Sequence, residues 1–403
     1  MLERQGRLSF VLIATATIAA GTLSGCAPGE GDPESRGTLA IVAGKIQQID
    51  ETEKATICAD TFCEPNYVYS ANFGRTRPEP PAQQPTPTPT RTPGQTPAQP
   101  YEQLDYSREI LRVPDAWNLS VGGDDIVVAV VDTGVDYTHP DLRNNMWKNM
   151  KEANGRPGVD DDGNGYVDDV YGYDFVRNRA NGDDDNKHGT HCAGVIGAER
   201  NGIGVVGINQ KVKIMPLKFL DANGSGDTMA AIKAIDYAVA NGARVISNSW
   251  GGGGYSSLLN DAIQRALARG IHVVAAAGNE SNNNDARPTY PANYAGVISV
   301  ASSDQADSLS FFSNFGPKSV FIAAPGSSIQ STVPGGYYER LSGTSMAAPQ
   351  VSGAIALALS VNRNVSRAQM MDSLCGSARK ILTGKAGCGR MDVAELVRRV
   401  SQI

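Results

Sequence analysis

From Leu104 onward, short apolar runs alternate with longer stretches in which apolar residues recur at helical spacing. Ile126–Val131 is continuously apolar and reads as a buried strand. Val212–Leu220, Arg244–Ser249, His272–Ala277, Val297–Ala301 and Val320–Ala324 read the same way. Asp227–Ala240, Ser257–Arg269 and Thr344–Val361 read as helices, and Met391–Val400 as a surface helix. This alternation predicts an α/β fold, a mostly parallel sheet with helices on both faces.

The pattern fails before Leu104. Arg4 and Arg7 precede the apolar run Leu8–Ala20, which ends in Leu23-Ser24-Gly25-Cys26. A basic start, a short apolar core and small residues read as a secretory signal over residues 1–25. The core is too short for a permanent membrane span. Residues 26–77 show traces of strand alternation at Leu39–Val42 and Tyr67–Tyr69, too little for a core of their own. Residues 78–103, dense in Pro, Thr and Gln, predict an extended spacer, which leaves 104–403 as the folded domain. The 403 residues carry a formal charge of −6 with no basic cluster, which argues against nucleic acid as a partner.

Three segments carry candidate chemistry. Ser345 lies in Gly343-Thr344-Ser345-Met346-Ala347-Ala348-Pro349, at the mouth of the predicted helix. There, unsatisfied N–H groups and positive partial charge face a developing oxyanion. Asp132 ends the strand Ile126–Val131, where an open α/β sheet places its site. His188 opens His188-Gly189-Thr190-His191-Cys192-Ala193-Gly194. A serine needs a base, and an imidazole titrates near working pH. The chain order Asp, His, Ser separates this set from chymotrypsin-like enzymes and from α/β-hydrolases.

The three segments closely resemble those of the subtilisin-like serine proteases, the subtilases. The resemblance implies a three-layer subtilisin-like fold and a serine endopeptidase acting on protein or peptide substrates. Ser345 would be nucleophile, His188 base and Asp132 its orienting carboxylate. Asn279, after the strand His272–Ala277, would supply one oxyanion donor and the Ser345 backbone N–H the other. Ser249-Trp250-Gly251 would pair with an extended substrate. Ala276 and Gly278 would line the adjacent pocket, with broad specificity and a preference for large apolar residues. A binding module with a decayed site is disfavoured by the complete set, and a dedicated processing protease by the lack of a selective pocket. His139 is expected to brace the loop after Asp132, His191 to pack, and His272 to be solvated.

Asp160-Asp161-Asp162-Gly163-Asn164-Gly165-Tyr166 matches the first half of an EF-hand loop. Asp160, Asp162 and Asn164 offer side-chain oxygens and Tyr166 a carbonyl. The twelfth position is Tyr171, so Asp169, or else Asp168, would close the site. Hard oxygen ligands favour structural Ca2+. A second calcium site follows from the resemblance alone, with side-chain oxygens from Asp141 and Asn201 and carbonyls from Glu199, Ile203 and Val205. Asp183-Asp184-Asp185-Asn186 reads equally as a further ion site or as a solvated loop.

Leu23-Ser24-Gly25-Cys26 resembles the bacterial lipobox. That implies a lipid on Cys26 and an exported protein anchored to a bacterial membrane, the outer membrane in a Gram-negative cell. Cys192 lies four residues past His188 and reads as a buried free thiol. The remaining cysteines allow two local pairs, Cys58 with Cys63 and Cys375 with Cys388, though parity leaves connectivity open. Residues 26–77 would be a tether or a reduced form of the family's propeptide, and a monomer is expected.

Overall fold

The structure is a computed structural model that describes residues 35–42, 45–50, 54, 57–58, 61–71 and 102–403. The signal segment with Cys26 and most of the Pro-rich spacer lie outside the described residues.

The predicted α/β architecture is present. The strands are β1 (Ser35–Val42), β2 (Lys45–Ile49), β3 (Cys63–Ser70), β4 (Gly122–Asp132), β5 (Tyr173–Asp174), β6 (Arg179–Ala180) and β7 (Lys211–Lys218). They continue with β8 (Ser225–Asp227), β9 (Val245–Asn248), β10 (His272–Ala276), β11 (Ile298–Ser303), β12 (Ile322–Pro325), β13 (Ile329–Val333) and β14 (Tyr337–Leu341). Six longer helices pack on them: α1 (His188–Gly197), α2 (Thr228–Ala240), α3 (Ser257–Ala268), α4 (Thr344–Val361), α5 (Arg367–Ser377) and α6 (Val393–Val400).

The main sheet runs in the order β12-β11-β10-β9-β4-β7-β5-β6, parallel throughout except for the β5–β6 hairpin. Val128 and Val130 of β4 face a core shared with α1, α4, α5 and α6. Ala129 and Val131 face the opposite core, shared with α2 and α3. Strands covered on both faces must be apolar at every position, which is why Ile126–Val131 reads as one run. The helices start at side-chain caps: Asp227 for α2, Ser256 for α3, a Ser366/Gln369 capping box for α5 and Asp392 for α6. Helix α4 is long and apolar enough to cross a membrane, yet it is buried in the protein and carries Ser345.

One expectation needs correction. His272 is not solvated: it is 1 % exposed. β10 is a central strand covered on both faces, so even its first residue lies inside. Burial pushes this imidazole down to about 3, helped by Arg367 and Arg244. Strands β1–β3 form a four-stranded sheet in the order β2-β1-β3-β8, completed by a strand of the main domain. Leu39 and Tyr69 are fully buried in the core shared with α2 and α3. The segment lacks a core of its own, as expected, and borrows one.

Candidate active site

Asp132 ends β4, His188 begins α1, Ser345 lies in the first turn of α4 and Asn279 follows β10. All four therefore lie at the carboxyl edge of the parallel sheet. Gly189 makes the approach of α1 possible: a Cβ there would meet the Gly134 oxygen at 2.0 Å and the Asp132 Cβ at 3.2 Å.

His188 Nδ1 donates to Asp132 Oδ1 at 2.7 Å, with both side chains fully buried. The Thr133 N–H donates to the same oxygen at 2.7 Å. Burial alone would lower the His188 pKa, but the Asp132 carboxylate outweighs it and holds the imidazole well above its ordinary 6.5. Ser345 Oγ donates to the Ser249 carbonyl at 2.8 Å. Cys192, a free buried thiol, lies 4.0 Å from His188 Nδ1 and donates to the Ser345 carbonyl at 3.4 Å. Burial raises its pKa, so it is a poor thiolate. Asn279 Oδ1 accepts from the Thr344 N–H (2.8 Å) and Thr344 Oγ1 (3.0 Å). The amide oxygen thus faces the start of α4.

The other histidines are structural. His139 Nε2 donates to the Tyr337 carbonyl, and its Nδ1 accepts from the Asp141 N–H. His191 Nε2 donates to the carbonyls of Ile329 and Glu339, and burial pushes its pKa down to about 3.

The edge expected to pair with substrate is already paired. Ser70 and Gly251 exchange both backbone hydrogen bonds, at 3.0 and 3.1 Å. On its other side β3 pairs antiparallel with β8, Tyr69 opposite Gly226 and Ser70 opposite Ser225, and the Ala71 N–H donates to the Gly224 carbonyl. Ring centroids of Tyr69 and Trp250 are 5.1 Å apart, and those of Trp250 and Phe219 are 4.7 Å apart. Trp250 therefore offers its backbone to the groove while its indole floors a pocket filled by Tyr69. Glu64 of β3 accepts from the N–H groups of Ser257 and Leu258, at the start of α3.

A cavity of about 610 Å3 lies beside the Asn279 segment, lined by Gly252, Gly253, Glu280, Asn282, Arg287 and Thr289 among others. The expected walls Ala276 and Gly278 do not line it. Ala276 is 3 % exposed within β10. Gly278 has φ +111°, and a Cβ there would meet Asn314 Nδ2 at 2.3 Å and Glu280 Oε2 at 2.6 Å. The lining is mixed, with Glu280 and Arg287 beside Pro288 and Phe315, whereas the sequence reading expects small, mostly apolar walls without an acid.

In the acidic loop, ligand oxygens of Glu152, Asp160 and Asp162 lie within 4.8 Å of one another. Asp169 borders this group: its carboxylate accepts from Tyr237 Oη (2.5 Å), Asn149 Nδ2 (2.7 Å) and Asn164 Nδ2 (2.9 Å), and Asn149 Nδ2 also donates to Asp162 Oδ2 (2.9 Å). Glu152, from the turn Met150–Ala153, joins Asp160 and Asp162, and no local pattern in the sequence marks it. The Tyr166 ring packs against Tyr173 and Tyr237. At the second expected site Asp141 accepts from Asn201 Nδ2 (3.1 Å) and from the Val205 N–H (3.1 Å). The Glu199 side chain turns to Asn144, and Arg200 turns to Glu102 and the Trp117 ring. Both places offer hard oxygen donors, the carboxylates of Glu152, Asp160 and Asp162 at the first and that of Asp141 at the second. That donor set fits calcium. The disulfides Cys58–Cys63 and Cys375–Cys388 are both present.

The Subtilase family profile matches residues 123–391. Subtilisin-like protease 1 of Plasmodium vivax is 36 % identical over 303 residues, 70 % of this chain and 48 % of that protein. Subtilisin-like protease 1 of Plasmodium falciparum (isolate 3D7) is 38 % identical over 268 residues, 61 % of this chain and 39 % of that protein. Thermitase of Thermoactinomyces vulgaris is 40 % identical over 267 residues, 66 % of this chain and 86 % of that protein. The chain thus spans less than half the length of the two Plasmodium relatives.

Proposed function

This chain belongs to the subtilase family, and on that premise we propose that it is a serine endopeptidase working through Asp132, His188 and Ser345. The observation that carries the reading is the buried 2.7 Å His188–Asp132 bond at the sheet edge where α4 presents Ser345. Ser345 Oγ attacks the peptide carbonyl as His188 takes its proton. Asp132 holds the Nδ1–H tautomer and stabilises the imidazolium. The Asn279 amide and the Ser345 N–H receive the oxyanion. His188 then protonates the leaving amine, and water releases the acyl group by the reverse steps. Labelling by a fluorophosphonate, lost in Ser345→Ala, tests the assignment. Undiminished labelling of that variant would sink it.

Peptide substrates would enter as a strand beside Gly251, in the place β3 now holds. The size of the 610 Å3 cavity favours a large residue before the scissile bond, and its mixed wall admits polar as well as apolar ones. Specificity is therefore broad.

The segment 35–71 is a groove-occupying propeptide rather than a bare tether, supported by the Ser70–Gly251 pairing and the burial of Tyr69. A chain starting near Leu104 should then label faster than the full chain. Structural calcium, held by Glu152, Asp160 and Asp162 and by the Asp141 loop, stabilises the fold without entering the chemistry. Export and a lipid on Cys26 are proposed from Leu23-Ser24-Gly25-Cys26. Metabolic incorporation of palmitate, absent in Cys26→Ser, is the expected result. The protease acts as a monomer, which size-exclusion with light scattering checks.

A further inference from the structure

One cation is buried beside the Asp132–His188 pair. Lys218, the last residue of β7, is 0 % exposed. Its Nζ donates to the Thr133 carbonyl at 2.7 Å, the Leu220 carbonyl at 2.7 Å and Asp185 Oδ1 at 2.6 Å. An ammonium has three N–H donors and no acceptor, so these partners use it completely.

The partners are not arbitrary. Thr133 follows Asp132, and Asp185 stands three residues before His188. The ammonium thus joins the segment that carries the acid to the segment that carries the base. The backbone adds to the same hold: Asp132 and Lys218 are register partners, and the N–H groups of Phe219 and Leu220 both donate to the Asp132 carbonyl. A second stitch runs through Asp184, which accepts from Thr133 Oγ1 (2.9 Å), the Thr190 N–H (2.9 Å) and Thr190 Oγ1 (2.6 Å). Asp185 is further paired with Arg177, on the solvent side of the turn.

We infer that Lys218 is a positioning residue for the proposed hydrolysis, the internal cation that holds the Asp183–Asn186 turn and thereby His188 against Asp132. It fills the place that the acidic turn, on its sequence, would give to a bound metal ion. The inference rests on the hydrolase reading of the site. Without the ammonium, two buried carbonyls lose their donor. Asp185 keeps only Arg177 and is drawn outward, and the turn before His188 moves with it. A displacement of about 1 Å at a reacting group is enough to cost roughly 10²-fold in rate.

The test compares Lys218→Met, Asp185→Ala and Asp185→Asn in the full chain, well below each melting temperature. Peptide hydrolysis gives kcat and KM, and Ser345-dependent fluorophosphonate labelling reports the nucleophile. Lys218→Met should lower kcat about 10²-fold with KM within about twofold, a loss confined to the transition state. Asp185→Ala should lower kcat less, and Asp185→Asn, which keeps an acceptor oxygen for Lys218, should restore most of it. Wild type in excess chelator should keep its kcat while folded, because this cation is covalent. A folded Lys218→Met with kcat within about threefold of wild type overturns the inference, as does a loss appearing equally in KM. If Lys218→Met does not fold, Asp185→Ala decides, and an unchanged kcat there overturns it. A wild type that neither labels nor hydrolyses defeats the hydrolase reading itself.

Discussion

Two acidic runs lie close together in the chain, Asp160–Asp169 and Asp183–Asn186, and they solve the same electrostatic problem in opposite ways. The first draws Glu152, Asp160 and Asp162 together, and among the described residues no Lys or Arg pairs with any of them. The nearest guanidinium, Arg156, goes to Asp161. Backbone N–H groups donate to the carboxylates in both runs, but the second adds two cations from within the protein, Lys218 and Arg177. Carboxylates brought together must be compensated, and the source of compensation decides what the loop depends on. We expect the first loop to depend on solution conditions. The second, which leads into His188, should not.

Chelation is the strongest way to separate them. Calcium at a thousandfold excess over its Kd stabilises by about 4 kcal/mol. Removing it should lower the melting temperature by roughly 10 °C in a scanning calorimeter. An unchanged melting temperature would break the comparison on the first side. On the second, Asp184→Ala strips the acceptor from Thr133, Thr190 and the Asn186 and Lys187 N–H groups. We expect a loss of about 2 kcal/mol that is additive with chelation, since the sites share no partner. Sub-additive losses in a double experiment would mean the loops are one unit. Glu152→Gln should act only on the first loop, weakening calcium about tenfold by titration calorimetry, or roughly 1.4 kcal/mol. Full-strength binding would return Asp169 to the ligand role.

The smallest effect is the most diagnostic, because it involves protons alone. His188 has a folded pKa above its unfolded value. The protonated pair with Asp132 therefore adds stability below about pH 6.5, and that contribution is lost as pH rises through the folded value. Activity needs the neutral imidazole and must rise over the same interval. A kcat/KM profile should show its acid limb above the ordinary histidine range, where stability is falling. A limb below 6.5 would contradict the geometry.

Much of this was legible in the chain. The strands were readable because β4, β9 and β10 are covered on both faces, which leaves unbroken apolar runs. The candidate catalytic set was readable because Asp132, His188 and Ser345 each sit in a short local pattern, at a strand end or a helix start. What stayed hidden has no local pattern. Glu152 and Glu280 are single residues whose partners are set by tertiary structure. Lys218 closes an apolar strand and gives no sign of facing Asp185. His272 looked solvated because a strand's first residue often is, and only the order of strands in the sheet shows that this one is central. That the β1–β3 segment borrows a core was not readable, because its burial belongs to α2 and α3.

The pairing of Ser70 with Gly251 also bears on how any assay of this protein will behave. A strand on the same chain competes at an effective concentration on the order of millimolar for short tethers. A peptide added at micromolar levels then meets a rival about a thousandfold more abundant, however well it fits. Apparent KM values of the full chain will measure that contest as much as affinity. They should fall toward the intrinsic values once residues 35–71 are cut away and diluted.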